Sequence, residues 1–173
     1  MSLAYEVAPK RAPVQPPVQE EGFRGEYLQA LRLIERLHRL LLDVIKDEFD
    51  RQGGAELNSV QALLLYNIGE SELTAGELKT RGYYLGSNVS YNLKKLVDMG
   101  YIHYKRSDTD RRSVRVSLTE KGLEARDIVS KLYLRQLGSV QTVGEVSGDD
   151  VKGLNKALVR LERFWSDQIR YRL

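Results

Sequence analysis

The hydrophobic period of this chain is helical almost throughout and changes once, and that change constrains the fold most. In residues 113–118, Val114, Val116 and Leu118 alternate with Ser113, Arg115 and Ser117, the two-residue period of a half-buried strand. Residues 101–106 read as its partner, and the polar run 107–112 as the loop between them. The result is a β-hairpin with a charged tip. Two strands alone are marginal in water, so this hairpin must lean on helices.

The helices are announced by their caps. From Glu26, apolar residues recur at Tyr27, Leu28, Leu31, Ile34, Leu37, Leu41, Val44, Ile45 and Phe49 until Gly53-Gly54. That is helical spacing with an apolar face too wide for one contact. Asn58-Ser-Val-Gln61 and Thr74-Ala-Gly-Glu77 each pair an N-cap with a box partner three residues on. Ser87 is placed to cap a third helix running to Gly100. Three short helices with short joints form a helix-turn-helix unit. After the hairpin, Thr119 opens another helix, and residues 138–147 read as a loop. Ser147-Gly-Asp-Asp150 then caps the last helix. Its Val151, Leu154, Leu158, Leu161 and Trp165 alternate in steps of three and four, the spacing of a helix-packing seam.

All four prolines fall within the first 17 residues, and with Gly22 and Gly25 they mark residues 1–25 as an extended or mobile arm. No apolar run approaches the ~20 residues of a membrane span, and residues 1–21 lack the apolar region of a secretory signal. The chain has no cysteine, which excludes thiol redox sensing and zinc-cysteine sites. No HExxH, P-loop or GxSxG pattern occurs, and neither His38 nor His103 has metal-site spacing, so neither an enzyme nor a metal or other cofactor is expected.

Charge is unevenly spread. Residues 79–115 hold nine Lys or Arg against three Asp, a net +6, which leaves −3 for the rest of the chain. A solvated charged face is the competing reading, and the pattern decides. At 100° per residue, Val89, Leu93 and Leu96 share one side of the third helix, while Ser87, Asn88, Ser90, Tyr91, Lys94 and Lys95 lie away from it. Hydroxyls, an amide, an aromatic ring and ammonium groups are the types that read base edges and bind phosphate in a major groove. On the hairpin, Arg106, Arg111, Arg112 and Arg115 suit the negative potential of a minor groove. A pair between Asp110 and Arg112 would stiffen the tip and leave Arg111 reaching outward. Helix and hairpin together point to double-stranded DNA.

These residues resemble a known family. Leu78, Val89, Leu93 and Leu96, then Gly100-Tyr-Ile, then Asp110-Arg-Arg112, then Val114-Arg-Val-Ser-Leu-Thr-Glu-Lys-Gly122, are similar to the MarR family of bacterial transcription regulators. The run Arg81-Gly-Tyr-Tyr-Leu-Gly-Ser-Asn88 resembles its LdtR-type branch, although Gly82 and Tyr83-Tyr-Leu-Gly86 depart from the usual family turn. The resemblance implies a mainly α fold with a small β-hairpin wing, a winged helix-turn-helix flanked by N- and C-terminal dimerisation helices. The implied parts are a dimerisation helix at 26–56, a DNA-binding domain at 57–122 and dimerisation helices at 123–173. Arg111 would be the wing-tip residue, braced by Asp110 and Arg112. Leu31, Ile34, Leu154, Leu158, Leu161 and Trp165 would line a homodimer interface.

By the same resemblance the chain is expected to be a cytoplasmic, ligand-responsive repressor acting as a homodimer on a pseudo-palindromic operator. A small-molecule effector is implied, without a motif for its site; Tyr66, His38 and Tyr133 could line one but fit a core or interface better. The alternative is a winged-helix protein-interaction or architectural DNA-binding module without effector control. An interaction module would carry apolar or acidic groups where Lys94, Lys95, Arg111 and Arg115 stand.

Overall fold

The computed structural model describes residues 18–53, 56–74, 77–78, 86–106 and 114–171. Helix α1 spans Val18–Arg51 and α2 spans Ser59–Ile68. Strand β1, Leu73–Thr74, comes next, then α3, Gly86–Asp98, and the strands β2, Ile102–Arg106, and β3, Val114–Leu118. Helices α4, Glu120–Thr142, and α5, Gly148–Tyr171, complete the order. The chain divides into two units, Met1–Leu41 and Leu42–Leu173.

In the first unit, the described residues are the N-terminal turns of α1. Phe23 and Tyr27 stack there at 6.2 Å, and Phe23, Leu28, Leu33, Leu37 and Leu40 are exposed. The helix begins at Val18, not at Glu26, so residues 18–25 are no extended arm. Pro17 is the last residue that forbids helical hydrogen bonding. Beyond it, Gly22 and Gly25 each weaken a helix by only about 1 kcal/mol, which the neighbouring turns override.

The second unit holds the core. Ile45 and Phe49 from the end of α1 join Leu64, Leu65 and Ile68 of α2, Leu93 and Leu96 of α3, Val116 of β3, and Ala125, Val129 and Leu132 of α4. Helix α2 is buried at six of its ten positions and packs chiefly along α4. Its cap is the box expected from sequence: the Asn58 side chain accepts from the Gln61 amide at 2.9 Å, and Gln61 accepts from the Asn58 amide at 3.2 Å. Gly69 closes the helix at φ +71°, a backbone region that costs glycine nothing.

The sheet has three strands, not two. Leu73 pairs with Val116 and Thr74 with Arg115, giving the antiparallel order β1-β3-β2. Two residues are too few to show a two-residue period, which hides β1 from sequence. Ile102 faces Leu118, and Tyr104 faces Val116. Thr74 also forms its box with Glu77, whose amide donates to the Thr74 hydroxyl at 3.1 Å. Helix α4 runs to Thr142 through Gly138, so the expected loop at 138–147 shortens to 143–147. A single glycine inside a helix that packs along another lowers stability without ending it.

A buried carboxylate ties α1 to α4. The Glu48 side chain is 5% exposed and accepts from Arg135 at 2.7 Å and from Gln52 at 2.8 Å. The hydrogen bond from Arg135 holds its carboxyl below the ordinary value, and Gln52 adds to this. Arg51 of the same helix lies 3.4 Å away, but the shorter contact, Arg135, comes from another helix, so helical spacing alone does not identify Glu48 as buried.

Candidate nucleic-acid interface

The face of α3 sorts as its period requires. Leu93 and Leu96 are buried; Ser90, Tyr91, Lys94 and Lys95 are exposed, Tyr91 by 64%. The Lys95 ammonium lies 5.9 Å from the centre of the Tyr91 ring, within range of a weak cation–π attraction. Ser87 and Asn88 belong to the first turn of α3, and their side chains lie outside the described residues. Between α3 and β2 runs an open groove of about 290 Å³ lined by Ser90, Leu93, Lys94, Val97 and the half-exposed Tyr104. One cation, one tyrosine and a hydroxyl line this groove, Tyr91 and Lys95 stand beside it on the exposed face of α3, and Asp98, the one acid on that helix, is exposed. Such a surface can take phosphate and base edges together.

The wing enters this surface through its strands. Arg106 ends β2, its side chain beyond the described residues. Asp110, Arg111 and Arg112 fall in the segment 107–113, which also lies outside them. Arg115 points out of β3 and meets Glu72 at 3.1 Å. Both side chains are about half exposed, so the pair contributes ~1 kcal/mol or less; Arg115 stands opposite Lys105, one pair from the outer end of the described strands.

What sequence reading missed is how α3 is held. Its C-terminus turns back on itself: the Gly100 amide donates to Val97 and the Tyr101 amide to Leu96, with Gly100 at φ +77°. This is the Schellman turn that glycine permits. All three carbonyls of that turn then accept from the start of α4. Lys121 Nζ donates to Met99 at 3.1 Å, the Thr119 hydroxyl to Gly100 at 2.8 Å and the Thr119 amide to Tyr101 at 3.1 Å. Gly122 completes the joint, since a Cβ there would stand 2.2 Å from the Tyr101 oxygen. The Leu-Thr-x-Lys-Gly run is therefore a packing joint between α3 and α4, with a cap, a cation and a close approach each in its place.

Glu56 extends this joint. It accepts from the Tyr101 hydroxyl at 3.1 Å and from Lys121 at 2.9 Å, and Lys121 stands 4.2 Å over the Tyr101 ring. The hydrogen bond from Lys121 lowers the Glu56 pKa and raises that of Lys121, while burial pushes up the Tyr101 phenol.

The residues expected at a homodimer interface are placed as follows. Leu31 and Ile34 are half-buried on α1. On α5, Leu154 is 54% and Trp165 36% exposed, Leu158 is exposed, Leu161 is half-buried, and no residue of the helix is buried. Tyr66 and Tyr133 meet edge to face at 5.0 Å, and burial raises the Tyr133 phenol. His38 is exposed on α1. Among the described residues, no group of three His, Asp or Glu could hold a metal ion, and no helix is long and apolar enough to cross a membrane.

Comparison with known proteins agrees with this geometry. Residues 57–122 match a winged helix DNA-binding domain. The chain is 35% identical over 147 residues to ExpG of Rhizobium meliloti (strain 1021), an exopolysaccharide II synthesis transcriptional activator, across 84% of this chain and 74% of that protein. Among solved structures it is similar to AbsC, a MarR family transcriptional regulator from Streptomyces coelicolor, with a TM-score of 0.62 and 23% identity over 82% of this chain and 95% of the other. A MarR mutant from E. coli, solved with operator DNA, gives a TM-score of 0.63 and 21% identity over 79% and 95%. These matches bear on the family and not on an LdtR-type branch. With its helix-turn-helix, its wing and its Thr-x-Lys-Gly joint, this chain belongs to the MarR family of winged helix DNA-binding transcription regulators.

Proposed function

We propose that the chain works as a cytoplasmic homodimer that binds a pseudo-palindromic site in double-stranded DNA and regulates the adjoining gene, by binding rather than by catalysis. The observation that carries this is the sorting of α3: Leu93 and Leu96 buried beneath Tyr91, Lys94 and Lys95, beside the groove to β2. The face of Ser87, Asn88, Ser90, Tyr91, Lys94 and Lys95 would lie in the major groove. Arg106, Arg111, Arg112 and Arg115 of the wing would serve the minor groove and backbone, with Asp110 and Arg112 bracing the tip. Two copies would set their α3 helices ~34 Å apart, one turn of duplex.

Repression follows where the site overlaps a promoter, because the bound dimer excludes polymerase. A site upstream of the promoter would instead allow activation, the role that the name of the 35% identical relative carries, so operator position would set the sign. Release by a small-molecule effector completes the proposal, and small aromatic acids are the class that the family resemblance implies.

Selection of short genomic duplexes by the purified protein at ~0.15 M salt, where non-specific binding is weak, tests the reading. One enriched inverted repeat supports it. Binding without enrichment supports the architectural alternative, and no binding at low salt overturns nucleic-acid recognition altogether. Repeating the titration with added aromatic acids tests effector control, and affinity that ignores all of them counts against that class.

A further inference from the structure

We propose that Glu56 and Lys121 are positioning residues for the recognition helix, setting sequence discrimination by fixing the angle of α3 without touching DNA; this rests on the DNA-binding reading of α3. Three independent features converge on one turn. The carbonyls of Met99, Gly100 and Tyr101 all accept from Thr119 and Lys121 at the start of α4. Glu56 accepts from donors on both sides of that junction, the Tyr101 hydroxyl and the Lys121 ammonium. Gly122 allows α4 to approach so closely that no methyl would fit against the Tyr101 oxygen.

The magnitudes indicate what this arrangement supplies. Glu56 and Lys121 are both about half exposed, and such a pair contributes little to stability. Its leverage is larger. Helix α3 has 13 residues and is therefore about 20 Å long at ~1.5 Å per residue. A tilt of about 5° at the Met99–Tyr101 turn would move the opposite end of α3 by about 1.7 Å, several times the ~0.5 Å tolerance of a binding constellation. That opposite end, with Ser87 and Asn88, is the end of a recognition helix that meets base edges. The joint sits where a small error in angle becomes the largest error in base contact.

Lys121 is itself a cation, so the rival is that it binds phosphate directly. Full-length protein carrying Lys121→Met, Lys121→Arg, Glu56→Ala or Glu56→Gln separates the two. Each is titrated against the duplex enriched by the wild type and against a scrambled duplex of equal length and composition, between 50 and 200 mM salt. Lys121→Met and Glu56→Ala should each lose about tenfold affinity for the enriched duplex, comparable to one base contact. Affinity for the scrambled duplex and the salt slope should stay at wild-type values. Lys121→Arg and Glu56→Gln, which keep a donor and an acceptor in place, should recover most of the loss.

The Glu56 variants are the stricter arm, because removing an acid strengthens binding to any polyanion if only charge matters. Tighter binding of both duplexes by Glu56→Ala overturns the proposal. So does an equal loss on both duplexes in Lys121→Met with a salt slope lower by about one, which marks a phosphate contact. Unchanged discrimination in both variants overturns it too. If Lys121→Met fails to fold, as judged by its urea midpoint, the Glu56 pair decides alone. A wild type that enriches no duplex overturns sequence-specific recognition and this proposal with it; the other failures overturn only this one.

Discussion

Helices α2 and α5 start with the same kind of local instruction and end in opposite surroundings. Each opens with a reciprocal capping box, Asn58 with Gln61 in one and Ser147 with Asp150 in the other. Each carries apolar residues at helical spacing. Yet α2 buries six of ten residues and α5 buries none of 24. A cap and a period specify a helix; they do not say what covers it. Helix α2 is covered by its own chain, chiefly by α4. The seam of α5, from Leu154 to Trp165, is left exposed or half-buried among the described residues, and amphipathic helices in water owe most of their stability to packing of that face. A second copy is the cover we propose.

The largest effects should separate the two regions by concentration. Leu64→Ala removes a fully buried side chain and should cost about 4 kcal/mol, because the cavity cannot collapse in so tight a core. The loss should be the same at every protein concentration. Leu158→Ala and Trp165→Ala should instead lower the melting temperature most at low concentration, since what they weaken is association. Melting curves over a hundredfold dilution check both. A Trp165→Ala protein that sediments as a stable dimer when dilute would break the assignment of the seam.

Glycine gives the same contrast by a different route. Gly122→Ala should cost about 3 kcal/mol through overpacking, because its Cβ would meet backbone at 2.2 Å. Gly153→Ala on α5 meets nothing within 4 Å and should gain up to about 1 kcal/mol of helix propensity. Urea midpoints of the two variants should move in opposite directions. A shared direction would mean that position 153 is covered in the assembled protein.

The comparison also marks how far sequence reaches. The boxes at Asn58, Thr74 and Ser147 are legible because cap and partner are three residues apart. The wing is legible at β2 and β3, where Val114, Val116 and Leu118 keep a period of two, and illegible at β1, which is too short to have one. The exposed side of α3 follows from the period that buries Leu93 and Leu96. The joint behind it does not, because Glu56 and Lys121 are 65 positions apart and either alone looks like an ordinary surface charge. Glu48 is hidden for a similar reason: its closer cation, Arg135, is 87 positions away on another helix, and only the weaker Arg51 contact is local.

Glu48 yields a smaller effect with a definite sign. Arg135 holds its carboxyl below the ordinary 4.5, so the charge stabilises the fold fully above about that pH. The contribution is lost as pH falls through the lower folded value. Glu48→Gln should therefore cost about 2 kcal/mol at pH 7, within the range for a hydrogen bond to a charged group. The gap should narrow at pH 3. Urea titrations of both proteins at the two pH values check this, and a gap independent of pH would show that packing rather than charge holds α1 to α4.

The smallest effect returns to the two caps. Asn58→Ala should cost about 1 kcal/mol at any pH, because neither Asn58 nor Gln61 titrates. Ser147→Ala should cost less, since its box is solvent-exposed, and its cost should depend on pH. The Ser147 hydroxyl and amide donate to the Asp150 carboxylate and hold its pKa below the ordinary 3.8. That contribution is complete above about pH 3.8 and disappears as pH falls through the folded value. Unfolding midpoints at pH 7 and pH 3 should thus converge for Ser147→Ala and wild type, but not for Asn58→Ala. If α5 is held only by association, the Ser147 effect should also appear in the concentration-dependent part of the transition. An effect confined to the concentration-independent part would mean that α5 is supported within its own chain, and the contrast with α2 would fail.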